Sequence, residues 1–384
     1  MAELMKLLQS SGSFKSDLMQ TLLSQSHQRA GQPSTTITST ASRDANLNVS
    51  ASTTPATTNT NINDNTSSGD STTPGDINLN TPGTTPTTAQ ENLNRNTDQP
   101  FYVDPNANCL SDVNKVLSEM KEIPAEQRRV LIDQITDVAT EAHMSSTLNT
   151  QASIREASER IDTQMKAMGN QMPDMSKLTI NPSAMMQHFL NSMVPEMTKV
   201  VNFSKQLPGF SDLDTEDQIT LIKQGIFEVM ISRITLLIDY VKDSMIDPSL
   251  KMKSPRSVVR QMSPMGPFID QFFDIAKKTH AQDLTDGENG LFGAILMLCP
   301  DRHGLKNVTA VQTIQHLYLQ ALHLLLKHNH KDADELFCKL ISSIPAIRKI
   351  NDDHFRFLNN IKQKSDSQTH LPQLHRELFD VALH

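Results

Sequence analysis

The stretch from Phe203 to Tyr240, FSKQLPGFSDLDTEDQITLIKQGIFEVMISRITLLIDY, constrains the fold more than any other part of this 384-residue chain. Pro208 and Gly209 end a helix there: the proline ring supplies no amide donor, and glycine takes a left-handed cap at no steric cost. Thr215 and Gln218 then stand at the spacing of a capping box, which predicts a new helix start. From Ile219 to Ile238 the run is apolar almost all round. A helix with no continuous wet face has to be covered on both sides, so this one is expected to be the middle layer of a helical domain. Lys223, Glu228, Arg233 and Asp239 interrupt it too often for a membrane span, and no membrane partner is expected.

Composition narrows the function. A net charge of -8 and a pI near 5.9 give no global attraction to nucleic acid. The three cysteines (Cys109, Cys299, Cys338) form no CxxC pair and are too few for a disulfide framework or a zinc finger, so no zinc and no direct DNA contact are expected. No basic-then-apolar leader with a small-residue cleavage site is visible, which argues against secretion. Enzyme motifs are missing: there is no GxSxG, no GxxxxGK[ST] and no GxGxxG. Gly287, Gly290 and Gly293 fit an acid-rich turn entering a helix better than a phosphate cradle. His328-Asn329-His330 closes a long helix and complements its dipole, without partner ligands for a metal. The chain is not expected to be an enzyme.

Along the chain, residues 1–30 read as a short amphipathic helical segment. Leu4, Leu7 and Leu8 make an LxxLL pattern, one apolar stripe at i, i+3 and i+4 that a groove can accept. Short motifs match by chance often, so a leucine-rich helix that merely fits is the preferred reading. Residues 31–100 are Ser, Thr, Asn, Gly and Pro without an aromatic, a composition that predicts a disordered linker. Order is expected from 101 to 384. Glu126–Met144 is amphipathic, with Val130, Leu131, Ile135 and Val138 on one face. Residues 145–187 are methionine-rich and weakly periodic. Phe189, Met193, Met197, Val200 and Val201 recur at helical spacing, with Pro195 placed in a first turn. The stretch 247–267 breaks the pattern. Helices are then predicted near 268–280, 285–298, 308–329, 332–343 and 351–363, with a short last one at Leu374–Leu383.

Phe203, Lys205, Pro208, Gly209, Phe210, Leu213, Asp217, Gln218, Leu221 and Lys223 resemble the signature of nuclear-receptor ligand-binding domains. The resemblance covers roughly 124–380. It implies an all-α, three-layer antiparallel helical sandwich with a short β-turn, preceded here by a disordered N-terminal region. The segments VVNFSKQLPGF, FEVM, LTDGENGLFGAILMLCPDRHGL and IPAIRKINDDHFRFL resemble the Rev-erb, ecdysone-induced and retinoid-related orphan receptor branch. A complete receptor of this kind also carries a zinc-bound DNA-binding module. The cysteines here cannot build one, so a natural lack, an isoform or an incomplete gene are all open.

The resemblance implies a ligand-regulated transcription regulator that binds a small apolar ligand and recruits LxxLL-type coactivator or corepressor peptides. Lys205 and Glu377 match the family's charge clamp, both expected near the surface, with Gln218, Ile222 and Lys223 lining the groove between them. Leu374, Leu378 and Phe379 belong with Glu377 to the activation helix that completes it. Glu228 and Arg302 match a salt bridge found in heterodimerising receptors. His354 sits with Phe357, Leu358 and Ile361 at i, i+3, i+4 and i+7, so it points inward. It matches the histidine that holds haem iron in Rev-erb receptors, which makes haem a candidate cofactor beside an unknown apolar ligand. The cysteine ligand of vertebrate Rev-erb is missing, leaving Met172, Met175 and His188 as candidate second ligands. A hydrogen-bonded core histidine is the competing reading. Phe227, Met172 and Met175 join His354 as candidate ligand-pocket residues. In the orphan receptors a tyrosine locks onto the counterpart of His354; here that position is His375, and a contact between the two histidines is expected. The alternative function is a ligand-independent dimerising module, a homodimer or a heterodimer with another nuclear receptor, that acts as a dominant-negative partner. Nuclear localisation, with cytoplasm as the alternative, follows from the resemblance only, since no basic import cluster is visible.

Overall fold

A computed structural model describes residues 1–10, 19–20, 23, 124–167, 181–247, 251–364 and 370–379. The expected linker 31–100, the start of the expected domain at 101–123, and Met172 and Met175 lie outside the described residues. The described elements, in order, are α1 (Ala2–Gln9), α2 (Ala125–Ser146), α3 (Gln151–Ala167), α4 (Pro182–Gln206) and α5 (Thr215–Thr235). A small sheet follows, β1 (Ile238–Asp239), β2 (Ser244–Asp247) and β3 (Met252–Pro255). Then come α6 (Arg256–Met262), α7 (Gly266–Thr279), α8 (Asp286–Met297), α9 (Val308–Asn329), α10 (Ala333–Ile341), α11 (Ile344–Lys364) and α12 (Gln373–Phe379). No described helix is long and apolar enough to cross a membrane.

The helices stack as a three-layer antiparallel sandwich with α5 in the middle, touching α4, α7, α8, α11 and α12. Leu221, Ile222, Ile226, Phe227, Val229 and Ile231 are all buried, as a helix without a wet face requires. The helix is shorter than the apolar run: it stops at Thr235, and Ile238 opens the sheet instead. Its cap is also one residue earlier than the capping-box spacing predicts. Asp214 accepts from the Glu216 amide at 2.8 Å, and Gln218 Nε2 donates to the Leu213 carbonyl at 2.8 Å.

The turn before α5 explains much of the signature. Gly209 has φ +91°, and a Cβ there would lie 3.0 Å from Ile314, so both backbone and packing demand glycine. Tyr318 Oη donates to the Pro208 carbonyl at 3.0 Å. Asp217 is fully buried and accepts from the amides of Lys306 and Asn307 at 2.7 and 3.0 Å, pinning the loop before α9 to the start of α5. Each is a buried polar group with its partner found.

Other elements differ from the sequence expectation. Pro195 lies inside α4, not in a first turn, because the helix starts at Pro182 under an Asn181 cap. An interior proline costs about 3 kcal/mol. Burial of Leu190, Met193, Met197 and Val200 on the same helix outweighs it, at about 1.5–3 kcal/mol for a large apolar side chain. Val130 is 54% exposed; the inward face of α2 is Leu131, Ile132, Ile135, Ala139 and Ala142, one position round from the predicted stripe. The short β-turn expected near 247–267 is present as the antiparallel β1-β2-β3 sheet, with Met245 of β2 registered between Ile238 and Ser254, and α6 after it is the unexpected part. α11 starts at Ile344, seven residues before its predicted start, with Pro345 harmless in its first turn.

Helix α8 begins with a capping box from Thr285 and Glu288. Glu288 is fully buried and also accepts from Asn329 Nδ2 at 2.9 Å and faces His330 Nε2 at 2.9 Å, so the end of α9 is tied to the start of α8. At Gly290 a Cβ would sit 2.5 Å from the Ala139 carbonyl oxygen. Glycine there lets the backbones of α2 and α8 touch, a packing role.

Candidate functional site

At the surface formed by α4 and α12, the side chains of Lys205 and Glu377 face the two ends of one short helix, and that helix is the chain's own α1. Lys205 Nζ donates to the carbonyls of Leu7 and Ser10 at 2.9 and 2.7 Å, and to Ser10 Oγ at 2.7 Å. Glu377 accepts from the amides of Glu3 and Leu4 at 3.2 and 2.9 Å and pairs with the Met1 amino group at 3.0 Å. A helix leaves its first amides and last carbonyls without internal partners, so an anion at the start and a cation at the end are the complementary pair.

Leu4 is fully buried, while Leu7 and Leu8 are half-buried and packed against the core. The exposed residues of α1 are Ala2, Lys6 and Gln9. Lys205 and Glu377 are therefore not surface residues as expected; α1 covers them. Burial lowers the Lys205 pKa from the ordinary lysine value. Burial would raise that of Glu377, but hydrogen bonds from Gln373, the Leu4 amide, the Met1 amino group and the Glu3 amide outweigh it and hold it at about 2.

Of the other predicted groove residues, Leu374, Leu378 and Phe379 are buried along α12, where they root the helix that carries Glu377. Ile222 is fully buried, Gln218 is engaged by the Leu213 carbonyl, and Lys223 is half-buried. α1 packs chiefly on α4 and α12.

Below α12 lies a second cluster. His354 is fully buried and stacks on Phe227, ring centroids 3.7 Å apart and planes within 9°. Phe268 and Phe379 meet it edge-on at 6.4 and 5.4 Å, and His375 tilts against Phe379 at 5.8 Å. Among the described residues neither histidine has a hydrogen-bond partner on either ring nitrogen, so the expected contact between them is not a hydrogen bond. Burial, then the neighbouring His375, push the His354 pKa down to about 3; burial takes His375 to about 4. Both imidazoles are neutral at physiological pH. His188, named as a candidate second ligand, is exposed. Among the described residues no group of three or more His, Cys, Asp or Glu could hold a metal ion.

A third cluster joins α5, the loop after α8, and α11. Arg302 donates in a fork to Glu228, Nη1 to Oε1 at 2.7 Å and Nη2 to Oε2 at 2.6 Å, and again to the Leu296 carbonyl at 3.0 Å. Arg348 approaches Glu228 at 3.5 Å, pairs with Asp301 and donates to Cys299 Sγ at 3.1 Å. Asn351 Nδ2 donates to the Gln224 carbonyl at 3.0 Å. Burial would lower the Arg302 pKa, and Glu228 overcomes it and raises it. Burial pushes the Cys299 thiol up to about 11. Sequence reasoning missed Arg348 and Asn351; their i, i+3 spacing on α11 was the available signal, hidden because that helix was started too late.

Residues 174–359 match the profile of the family described as the ligand-binding domain of nuclear hormone receptor. The chain is similar to peroxisome proliferator-activated receptor alpha of Xenopus laevis, 30% identical over 190 residues, which is 48% of this chain and 40% of that receptor. The chain thus spans about two fifths of that relative's length. The sandwich built around α5, the signature turn at Pro208-Gly209 and the family match over 174–359 converge: this part of the chain is similar to nuclear receptor ligand-binding domains in sequence and in fold.

Proposed function

We propose that this chain is a transcription regulator of the nuclear-receptor type that recruits LxxLL helices through the groove between Lys205 and Glu377, under control of a buried apolar ligand. The observation that supports it is the pairing of an LxxLL helix with both charged ends, carbonyls on Lys205 and amides on Glu377. Glu377 stands on α12, and α12 rests on the His354, Phe227 and Phe268 cluster, so whatever fills that cluster also sets the position of one clamp residue. That is a physical route from ligand to coregulator. The sequence pieces above favour the Rev-erb and orphan-receptor branch within the family.

Charge-assisted hydrogen bonds contribute about 1.5–3 kcal/mol each, so Lys205→Glu and Glu377→Lys, each made in a chain whose own Leu4, Leu7 and Leu8 are changed to alanine, should weaken an LxxLL peptide by tenfold or more relative to that parent. Fluorescence anisotropy on the three proteins checks this, and unchanged affinity in both variants would sink the reading. Native mass spectrometry of the purified chain tests for a retained apolar ligand.

Haem is the one named candidate ligand. His354 supplies a neutral, unpartnered imidazole of the kind that can serve as an axial ligand, and the group would bring a redox-active iron to the cluster under α12. His354→Ala should then remove the Soret absorption of haem-loaded protein. No Soret band in loaded wild type ends the haem reading and leaves the groove untouched. The alternative is a ligand-independent dimerising module; it is favoured by the buried bridge from Glu228 to Arg302 and predicts a dimer whose association is indifferent to any ligand.

A further inference from the structure

We propose that residues 2–9 are a built-in competitor for the groove: the chain's own LxxLL helix closes the site and must leave before another protein's helix can bind. The inference rests on the groove reading above and adds the occupant and the regulation. The leucines at 4, 7 and 8 are the stripe that a groove of this kind accepts, and here they face the core. Both ends of the helix are satisfied by side chains more than 190 residues away in sequence, at Lys205 and Glu377.

The contact is held at a second point. Met19 and Leu23 are buried in the same core, and Gln20 Nε2 donates to Asp212 Oδ1 at 3.0 Å, beside the signature turn. An isolated helix of eight residues is marginal in water, so α1 is a helix because it is docked, and undocking melts it. An incoming LxxLL helix needs the same two charged ends, so the two occupants exclude each other. The apparent affinity of the outside helix falls by the fraction of molecules in which α1 is out.

The test uses the full chain and a peptide of its own residues 1–12, MAELMKLLQSSG, labelled at the C-terminal end. The Leu4→Ala/Leu7→Ala/Leu8→Ala variant, whose own helix no longer competes, should bind this peptide about tenfold or more tightly than wild type. Adding Lys205→Glu to that variant should abolish the gain. Equal affinity of wild type and triple variant overturns the competitor and leaves the groove standing. Binding by neither overturns both.

Hydrogen–deuterium exchange on wild type supplies an arm that needs no change in α1. The amides of residues 3–8 should exchange slowly, and quickly in Glu377→Lys; fast exchange in wild type overturns the proposal. Slow exchange should survive a hundredfold dilution. Protection that disappears on dilution would mean a helix traded between copies, and the in-chain competitor would be wrong.

Discussion

Helix α11 carries two buried polar clusters, one per half, and they are built on opposite rules. Toward its start, Arg348 and Asn351 join Arg302, Glu228 and Asp301 in a network where each charge meets an opposite charge. One turn further on, His354 is fully buried and has, among the described residues, no hydrogen-bond partner on either ring nitrogen. The first cluster joins three separate segments, α5, the loop after α8 and α11, so it fixes the frame. The second meets α12, the short helix that carries Glu377, through the rings of His354 and Phe355 against Phe379. Stacked and edge-on rings can be exchanged for another apolar surface at little cost, whereas a desolvated ion pair cannot be opened without stranding a charge. The helix that carries Glu377 thus rests on the exchangeable cluster.

The largest expected effect comes from breaking the frame. Glu228→Gln leaves Arg302 buried with no countercharge, a change that should cost about 3–5 kcal/mol. Chemical denaturation at neutral pH measures it. A loss under 1 kcal/mol would mean that Arg348 and Asp301 carry the network without Glu228, and the contrast between the halves of α11 would fail. Asn351→Ala should cost less, about 1–1.5 kcal/mol, because it removes a hydrogen bond to the Gln224 carbonyl and a longer one to Glu228 from a network whose charges stay paired.

The frame was more legible in the sequence than the contacts of α12, and the reason is physical. The turn at Pro208-Gly209 and the apolar run of α5 are set by local chemistry, whereas the Glu228 and Arg302 pair, 74 residues apart, was named from the family resemblance alone. Local rules failed where tertiary burial overrode them. Pro195 sits mid-helix because the apolar face of α4 is worth more than one missing amide bond. Val130 faces solvent because a stripe read over so few turns can be off by one position. Thr215 lost the cap to Asp214, its neighbour with an equally good acceptor. The candidate site was half visible. Lys205 and Glu377 could be named in advance, but nothing local says that Leu4 would dock 373 residues away in sequence from Glu377. Chance was the sounder expectation for a five-residue motif, and the structure places that motif between the two named charges.

The smallest effect at neutral pH, and the sharpest test of the second cluster, is His354→Leu. At pH 7.5 the variant loses the stacking on Phe227 and sheds a buried polar ring without partners, so stability should change by less than about 1.5 kcal/mol in either direction. The pH then separates the two proteins. In the unfolded chain His354 takes up a proton near its ordinary value of 6.5, whereas in the folded chain it does so only near 3. Its contribution is therefore fully present above 6.5 and is lost as pH falls from 6.5 toward 3, at up to about 1.4 kcal/mol per pH unit. His143, His316 and His375 are depressed to about 3, 4 and 4 by burial and act in the same direction, but both proteins carry them, so they cancel in the difference. Between pH 7.5 and 5 the variant should gain about 2 kcal/mol on wild type. Urea unfolding at half-unit pH steps reads it directly. A difference that stays flat across that range would show that His354 has a partner for its proton, and the exchangeable half of α11 would have to be drawn again.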